Sequence, residues 1–200
     1  QNSGEINSTQ RLLHNVYIRE HGWEIAPNNP IGLRIEDNKL RDDYTNHVAW
    51  IGAFDSNSNE QIGCLRIFPR TQCRKLEAQL YRSCDSRLQE ILDSKRQIVE
   101  VNRAVVKKEF RGNSVAFLRM LLLSFEWAIR TNSSVFFTTR VPSVLRLFSE
   151  LGIKGEKAMR FKYEKHDVEP VTPFICDFDI GDVHGASHMI YTKLKVKSRK

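Results

Sequence analysis

The sequence lacks any long apolar run free of charge: its longest, Val115 to Ile129, is interrupted by Arg119, Ser124 and Glu126. A bilayer span needs roughly 20 consecutive apolar residues, so no transmembrane helix is expected. No C-x-x-C spacing links its four cysteines, Cys64, Cys73, Cys84 and Cys176. Three of them sit beside apolar or helical residues, where a reduced thiol packs as a small hydrophobe, and unpaired structural thiols are expected. Also missing are a signal-peptide pattern, internal repeats and low-complexity linkers. These absences point to a single soluble, cytoplasmic domain over residues 1–200, with no integral membrane association. Residues 1–9 are polar, contain a Gly and hold no apolar cluster, and so are expected to be frayed or disordered.

What is present suits a folded core. Hydrophobic residues make up 40% of 200 residues, with 11 Phe and 3 Trp, and a chain of this length hides roughly 70% of its unfolded surface. The net charge of +7 calls for an acidic partner. Nucleic acid is not expected, because no binding motif is found and the charge is not concentrated in one helix. His184 and His188 have the i, i+4 spacing of a helical metal pair, but Gly185 and the lack of a nearby third ligand argue against a metal. The basic tail Lys193–Lys200 reads as a charged edge strand that resists aggregation.

Along the chain, Gln10 to His21 carries Leu12, Leu13, Val16 and Tyr17 at helical spacing and stops at Gly22. His47–Phe54 and Gln61–Phe68 flank the turn-forming Asp55-Ser56-Asn57-Ser58-Asn59 and predict a β-hairpin. Gln79–Leu92 is weakly helical, and Gln97–Val106 is rich in β-branched residues, as a buried central strand is. A helix over Ser114–Thr131, a strand over Val135–Arg140 and a helix from Pro142 to Leu151 follow, with further strands expected in Ala158–Tyr163 and His188–Val196. The order predicts an α/β fold with a mixed central sheet flanked by helices.

Chemistry concentrates between Ile98 and Ala116. A strand bearing Glu100 and Arg103 leads to Arg111-Gly112-Asn113-Ser114, which opens the long apolar helix. Backbone N–H groups and the helix dipole at such a junction suit a phosphate. The segment resembles the acyl-donor loop of the GNAT acyltransferases, with Ser114 in place of the middle Gly. A Cβ there hinders a pyrophosphate more than the single phosphodiester of a carrier-protein phosphopantetheine arm.

Four upstream blocks extend the likeness: Val16-Tyr17 with Gly22-Trp23, Asp42-Asp43-Tyr44 before Ala49-Trp50, Gly63-Cys64-Leu65-Arg66-Ile67-Phe68-Pro69, and Val99-Glu100-Val101-Asn102-Arg103-Ala104-Val105. In order and spacing they resemble the N-acyl-homoserine lactone synthases. Leu13 and Thr45 replace an Arg and an Asp that help those enzymes recognise a sulfonium substrate. The chain is more similar to the long-chain N-acyl amino acid synthases of the FeeM type, which share that fold and acylate an intact amino acid such as tyrosine. The resemblance implies an acyl carrier protein as donor and partner, its phosphopantetheine arm carrying the acyl group, and no permanently bound cofactor.

An ammonium substrate must lose a proton before it attacks a thioester. Glu100 occupies the place of the base in the lactone synthases, and burial raises a carboxyl pKa; its alternative is a structural partner of Arg103. Arg66 and Arg103 are candidates for the substrate carboxylate, with an internal network involving Asp42 and Glu100 as the alternative. Tyr17 and Trp23 are candidate pocket walls or simply core. The oxyanion is assigned to backbone N–H groups at Ala104, Val105 and Val106, if the strand bulges as it does in GNAT folds. Lys107, Lys108 and Arg111 are placed at the donor entrance, with Gly112, Asn113 and Ser114 at the phosphate. Leu118, Leu122, Phe125, Val144, Leu145 and Phe148 are candidates for an acyl tunnel, core being their default. A lactone synthase, a coenzyme A-dependent N-acetyltransferase and a non-enzymatic lipid or carrier-protein module are the alternative functions.

Overall fold

The computed structural model describes residues 3–81, 86–95, 97–113, 115–150, 153, 155–157, 160–163 and 169–177. Its first long-range feature is the hairpin of β3 (Ala49–Phe54) and β4 (Gln61–Pro69). The turn closes because the Asp55 carboxylate accepts the N–H groups of Asn57 at 3.0 Å and Ser58 at 2.8 Å, while Asn59 takes φ 55°. All nine residues of β4 are buried, as befits a strand covered on both faces.

From β4 the chain passes through α2 (Arg70–Cys73), α3 (Glu77–Leu80) and α4 (Ser86–Ser94) before returning antiparallel as β5 (Ile98–Val106). The helix expected over Gln79–Leu92 is therefore two pieces. Next come a 3₁₀ turn over Lys108–Asn113 and α5 (Val115–Arg130), whose crossover sets β6 (Ser134–Thr139) parallel to β5. After α6 (Pro142–Glu150), the short β7 (Glu156–Lys157) and β8 (Thr172–Cys176) complete a six-stranded sheet ordered β3-β4-β5-β6-β8-β7. Among the described residues of the strand expected over Ala158–Tyr163, Phe161 pairs in an isolated bridge to Val171. Pro173 disguises β8 in the sequence, because a residue without an N–H is disfavoured in a strand interior. The expected strand His188–Val196 and the tail Lys193–Lys200 lie outside the described residues, as do His184 and His188.

One face of the sheet packs on α5 and α6, where Leu65, Ile67, Val99 and Val101 meet Leu118, Met120, Phe125 and Phe148. The other face is covered in two parts. Ile98, Phe136 and Ile175 lie with Leu76 just before α3, Ala78 of α3 and Leu88 and Leu92 of α4, while Cys64 and Val105 lie under Leu12, Leu13 and Val16.

Those last three residues belong to α1 (Ser3–Leu13) and to its π-helical continuation over His14–Glu20, which ends at Gly22 with φ 65°. The frayed start expected for residues 1–9 is instead helical from Ser3 onward. Thr9 is buried there and accepts a 2.8 Å hydrogen bond from Gln61 of β4, which ties the first turns to the sheet. A second hairpin, β1 (Arg34–Glu36) and β2 (Lys39–Arg41), turns through Asp37 and Asn38 with φ 50° and 57°. Asp and Asn are among the few non-glycine residues that enter this region readily.

Candidate active site

The site is organised by an irregularity in β5. Arg66 pairs with Asn102 and Cys64 with Val105, so Leu65 stands opposite two residues, Arg103 and Ala104. Arg103 takes the extra place with φ 50°. A bulge of this kind reverses the alternation of side chains, and Val105 consequently joins the face on which Glu100 lies. On the opposite edge of β5, pairing with β6 ends at Val101 and Phe137. The strands part just where Ala104, Val105 and Val106 follow the bulge, Ala104 being exposed and the other two buried.

Glu100 is fully buried, 0% exposed. It accepts the Ala78 N–H at 3.2 Å on one carboxylate oxygen and the Tyr163 hydroxyl at 3.1 Å on the other. Burial and the nearby negative charge of Glu77 push its pKa up to about 7, against the opposing effects of the Ala78 N–H, Asn102 and Arg66. A carboxylate poised near neutrality is suited to taking a proton from an ammonium group.

Beside it lies a buried ionic network. The Arg66 guanidinium sits 5.7 Å from the Trp50 ring centroid and 5.1 Å from that of Phe68. It bonds Asp42 at 2.5 Å, Asn102 at 2.8 Å and the Glu77 carboxylate. Arg103 reaches Glu77 at 3.1 Å and lies 3.7 Å from Asp42, while its Nε is buried without a hydrogen-bond partner. Burial pushes the Asp42 pKa up, but the two guanidinium groups and the Tyr44 N–H outweigh it and hold the carboxyl below its usual range. The partner of Arg103 is therefore Glu77 rather than Glu100. Glu77 had no signal of its own in the sequence, since a lone acidic residue opening a four-residue helix belongs to no motif.

Tyr17 and Trp23 stack with ring centroids 4.2 Å apart, and the Arg140 guanidinium lies 5.6 Å from the Trp23 ring centroid. The Tyr17 hydroxyl is pushed up to about 12 by burial, with Arg103 opposing. These residues join the end of the first helix to the end of β6, and Trp23 is 40% exposed.

At the donor loop, Arg111 donates to the Val106 carbonyl at 2.7 Å and doubly to the Glu20 carboxylate. Lys107 pairs with Glu60. Two of the three expected cations thus hold carboxylate partners, which lowers the positive field of this surface. Gly112 and Asn113 lie in the 3₁₀ turn, and Ser114 lies outside the described residues.

Leu118, Leu122, Phe125 and Phe148 are buried core, with Val144 and Leu145 packed against them. Phe148 meets Phe137 at 4.5 Å and Phe125 at 6.0 Å between ring centroids. A small cavity of about 90 Å³ lies elsewhere, lined by Ile6, Thr9, Trp50, Phe54 and Gln61, and borders none of the catalytic candidates.

Residues 12–121 match the acetyltransferase (GNAT) domain family. The chain belongs to the GNAT family. It is an acyltransferase.

Solved structures of similar fold include the CoA-dependent acyl-homoserine lactone synthase BjaI with SAM and isopentyl-CoA. That match has 17% identity and a TM-score of 0.65, covering 94% of this GNAT chain and 83% of BjaI. The lactone synthase LasI matches at 13% identity with a TM-score of 0.62, over 90% of this chain and 86% of its own. FeeM, an N-acyl amino acid synthase from uncultured soil microbes, matches at 13% identity with a TM-score of 0.61, over 88% and 87%. At such identities the likeness is one of fold. Among curated proteins no sequence matches. No helix among the described residues is long and apolar enough to cross a membrane.

Proposed function

We propose that this GNAT enzyme transfers a long-chain fatty acyl group from an acyl carrier protein thioester to the α-amine of an amino acid, an aromatic one such as tyrosine. The observation that carries the reading is Glu100, a buried carboxylate with a pKa of about 7, three residues before the bulge residue Arg103 and close to the point where β5 and β6 part. Glu100 takes the ammonium proton. The freed amine attacks the thioester carbon, the backbone N–H groups at Ala104 to Val106 hold the oxyanion, and the phosphopantetheine thiolate leaves.

The acceptor assignment draws support from Leu13 and Thr45. Leu13 is 1% exposed among Leu12, Val16, Leu40 and Cys64, and Thr45 spends its hydroxyl on the Asp42 carbonyl at 3.1 Å. Neither offers a charge to a sulfonium substrate. Arg103, with one nitrogen unpaired, is the group proposed for the substrate carboxylate. Tyr17 and Trp23 are the proposed aromatic wall, and Ser114 favours the carrier-protein arm over coenzyme A.

The test incubates the protein with a long-chain acyl carrier protein or acyl-CoA, offers single amino acids or S-adenosylmethionine, and reads products by mass spectrometry. An N-acyl amino acid formed from the carrier-protein donor is the expected product. A lactone, or acylation by the CoA donor alone, overturns the finer assignment. Glu100→Gln is expected to slow turnover at least about tenfold while donor binding persists.

A further inference from the structure

Because Glu100 has no exposed surface, a proton bound for its carboxylate must cross another group. The side chains around it offer one continuous path. The Tyr163 hydroxyl donates to Glu100 at 3.1 Å, and the Thr138 hydroxyl lies 3.0 Å from that of Tyr163. A phenol has a single hydrogen, and here it is directed at the carboxylate. Thr138 must therefore be the donor in the second bond. Oxygen lone pairs of Thr138 remain to accept a hydrogen bond at the far end of the chain.

The position of that end matters. Thr138 is one residue beyond Phe137, the last β6 residue paired with β5, and unlike Glu100 it is only partly buried. It stands where the two strands part. Tyr163 is held for the role by its ring, 5.3 Å from that of Tyr81 and 5.1 Å from that of Phe161.

We propose that Thr138 and Tyr163 form a hydroxyl relay that carries the proton of the amine substrate to Glu100. The ammonium N–H passes its proton to the Thr138 oxygen as Thr138 passes its own to Tyr163 and Tyr163 passes its own to the carboxylate. The products are a neutral amine, two intact hydroxyls and a protonated Glu100, so no co-reactant is required. Neither hydroxyl needs to ionise fully, in keeping with a Tyr163 pKa held well above its usual value by burial and by the charges of Glu100 and Glu77. The other groups facing Glu100 are Arg66 from β4, Glu77 and the Ala78 N–H from α3, and Asn102 on its own strand.

The relay rests on the reading of Glu100 as base, and the experiment separates the two. Turnover, the pH profile of kcat/KM and the solvent deuterium isotope effect are measured for the wild type, Glu100→Gln, Tyr163→Phe, Thr138→Val and Thr138→Ser. Tyr163→Phe and Thr138→Val should each lower kcat at least about tenfold with the donor KM unchanged, and Thr138→Ser should restore most of the rate. Tyr163→Phe should also move the acidic limb to higher pH, because the carboxylate loses a donated hydrogen bond.

A slow Glu100→Gln beside a Tyr163→Phe of wild-type rate and profile overturns the relay and leaves the base intact. A fully active Glu100→Gln overturns both. Thermal unfolding checks each variant, and should Tyr163→Phe fail to fold, equal rates for Thr138→Val and Thr138→Ser sink the relay.

Discussion

Glu77 and Arg66 meet in a buried ion pair, one opening α3 and the other at the middle of β4. Arg66 also serves Asp42, and Glu77 also serves Arg103, so two cations and two carboxylates balance inside the fold.

That balance makes Arg66 indispensable for stability. Arg66→Met removes one cation and leaves Asp42 and Glu77 with only Arg103 between them. Breaking a buried pair by removing one partner costs about 3–5 kcal/mol. Urea unfolding should show a loss of that order, with part recovered when Glu77→Gln is added. A loss below about 1 kcal/mol would contradict the internal neutralisation.

The raised pKa of Glu100 has two consequences for pH. As a base it works unprotonated, so kcat/KM should rise with pH through about 7. For stability the sign is opposite. Between the ordinary value of 4.5 and about 7 the folded state binds the Glu100 proton more tightly than the unfolded state does, so stability present below 4.5 is lost as pH climbs through 7. Urea midpoints of the wild type and Glu100→Gln between pH 5 and 8 test this. The wild type should fall more steeply, and parallel curves would rule out the shift.

Cys64 should be inert in the folded protein. It is buried, with its thiol pKa pushed far up by burial against the opposing charges of Arg103 and Arg66. Only the thiolate reacts with alkylating reagents. Iodoacetamide treatment at pH 7.5 followed by peptide mapping should label Cys64 only after denaturant is added. Labelling of Cys64 in the native state would mean that α1 opens readily from the sheet.

The extent to which the sequence announced this fold follows the range of the interactions. The β3–β4 hairpin, β5, α5, β6 and α6 were legible because period-2 and period-3.6 patterns and the turn chemistry of Asp55 and Asn59 are local. β8 was hidden by Pro173, and the short β1–β2 hairpin has too few residues to show a period. The early start of α1 was missed because Thr9 is ordered by Gln61, a contact 52 positions away.

The same division runs through the site. By itself the sequence determined that Glu100 and Arg103 share a β-branched strand, that a basic turn and a helix follow it, and that Leu13 and Thr45 offer no charge. Only the tertiary structure decided that Glu77 rather than Glu100 pairs with Arg103, that Phe137 and Phe148 pack ring against ring, and that Tyr163 touches Glu100. Each of those outcomes depends on which distant side chains share a space without water. Local spacing carries no record of that, and the cost of leaving a buried charge unpaired is what enforces it.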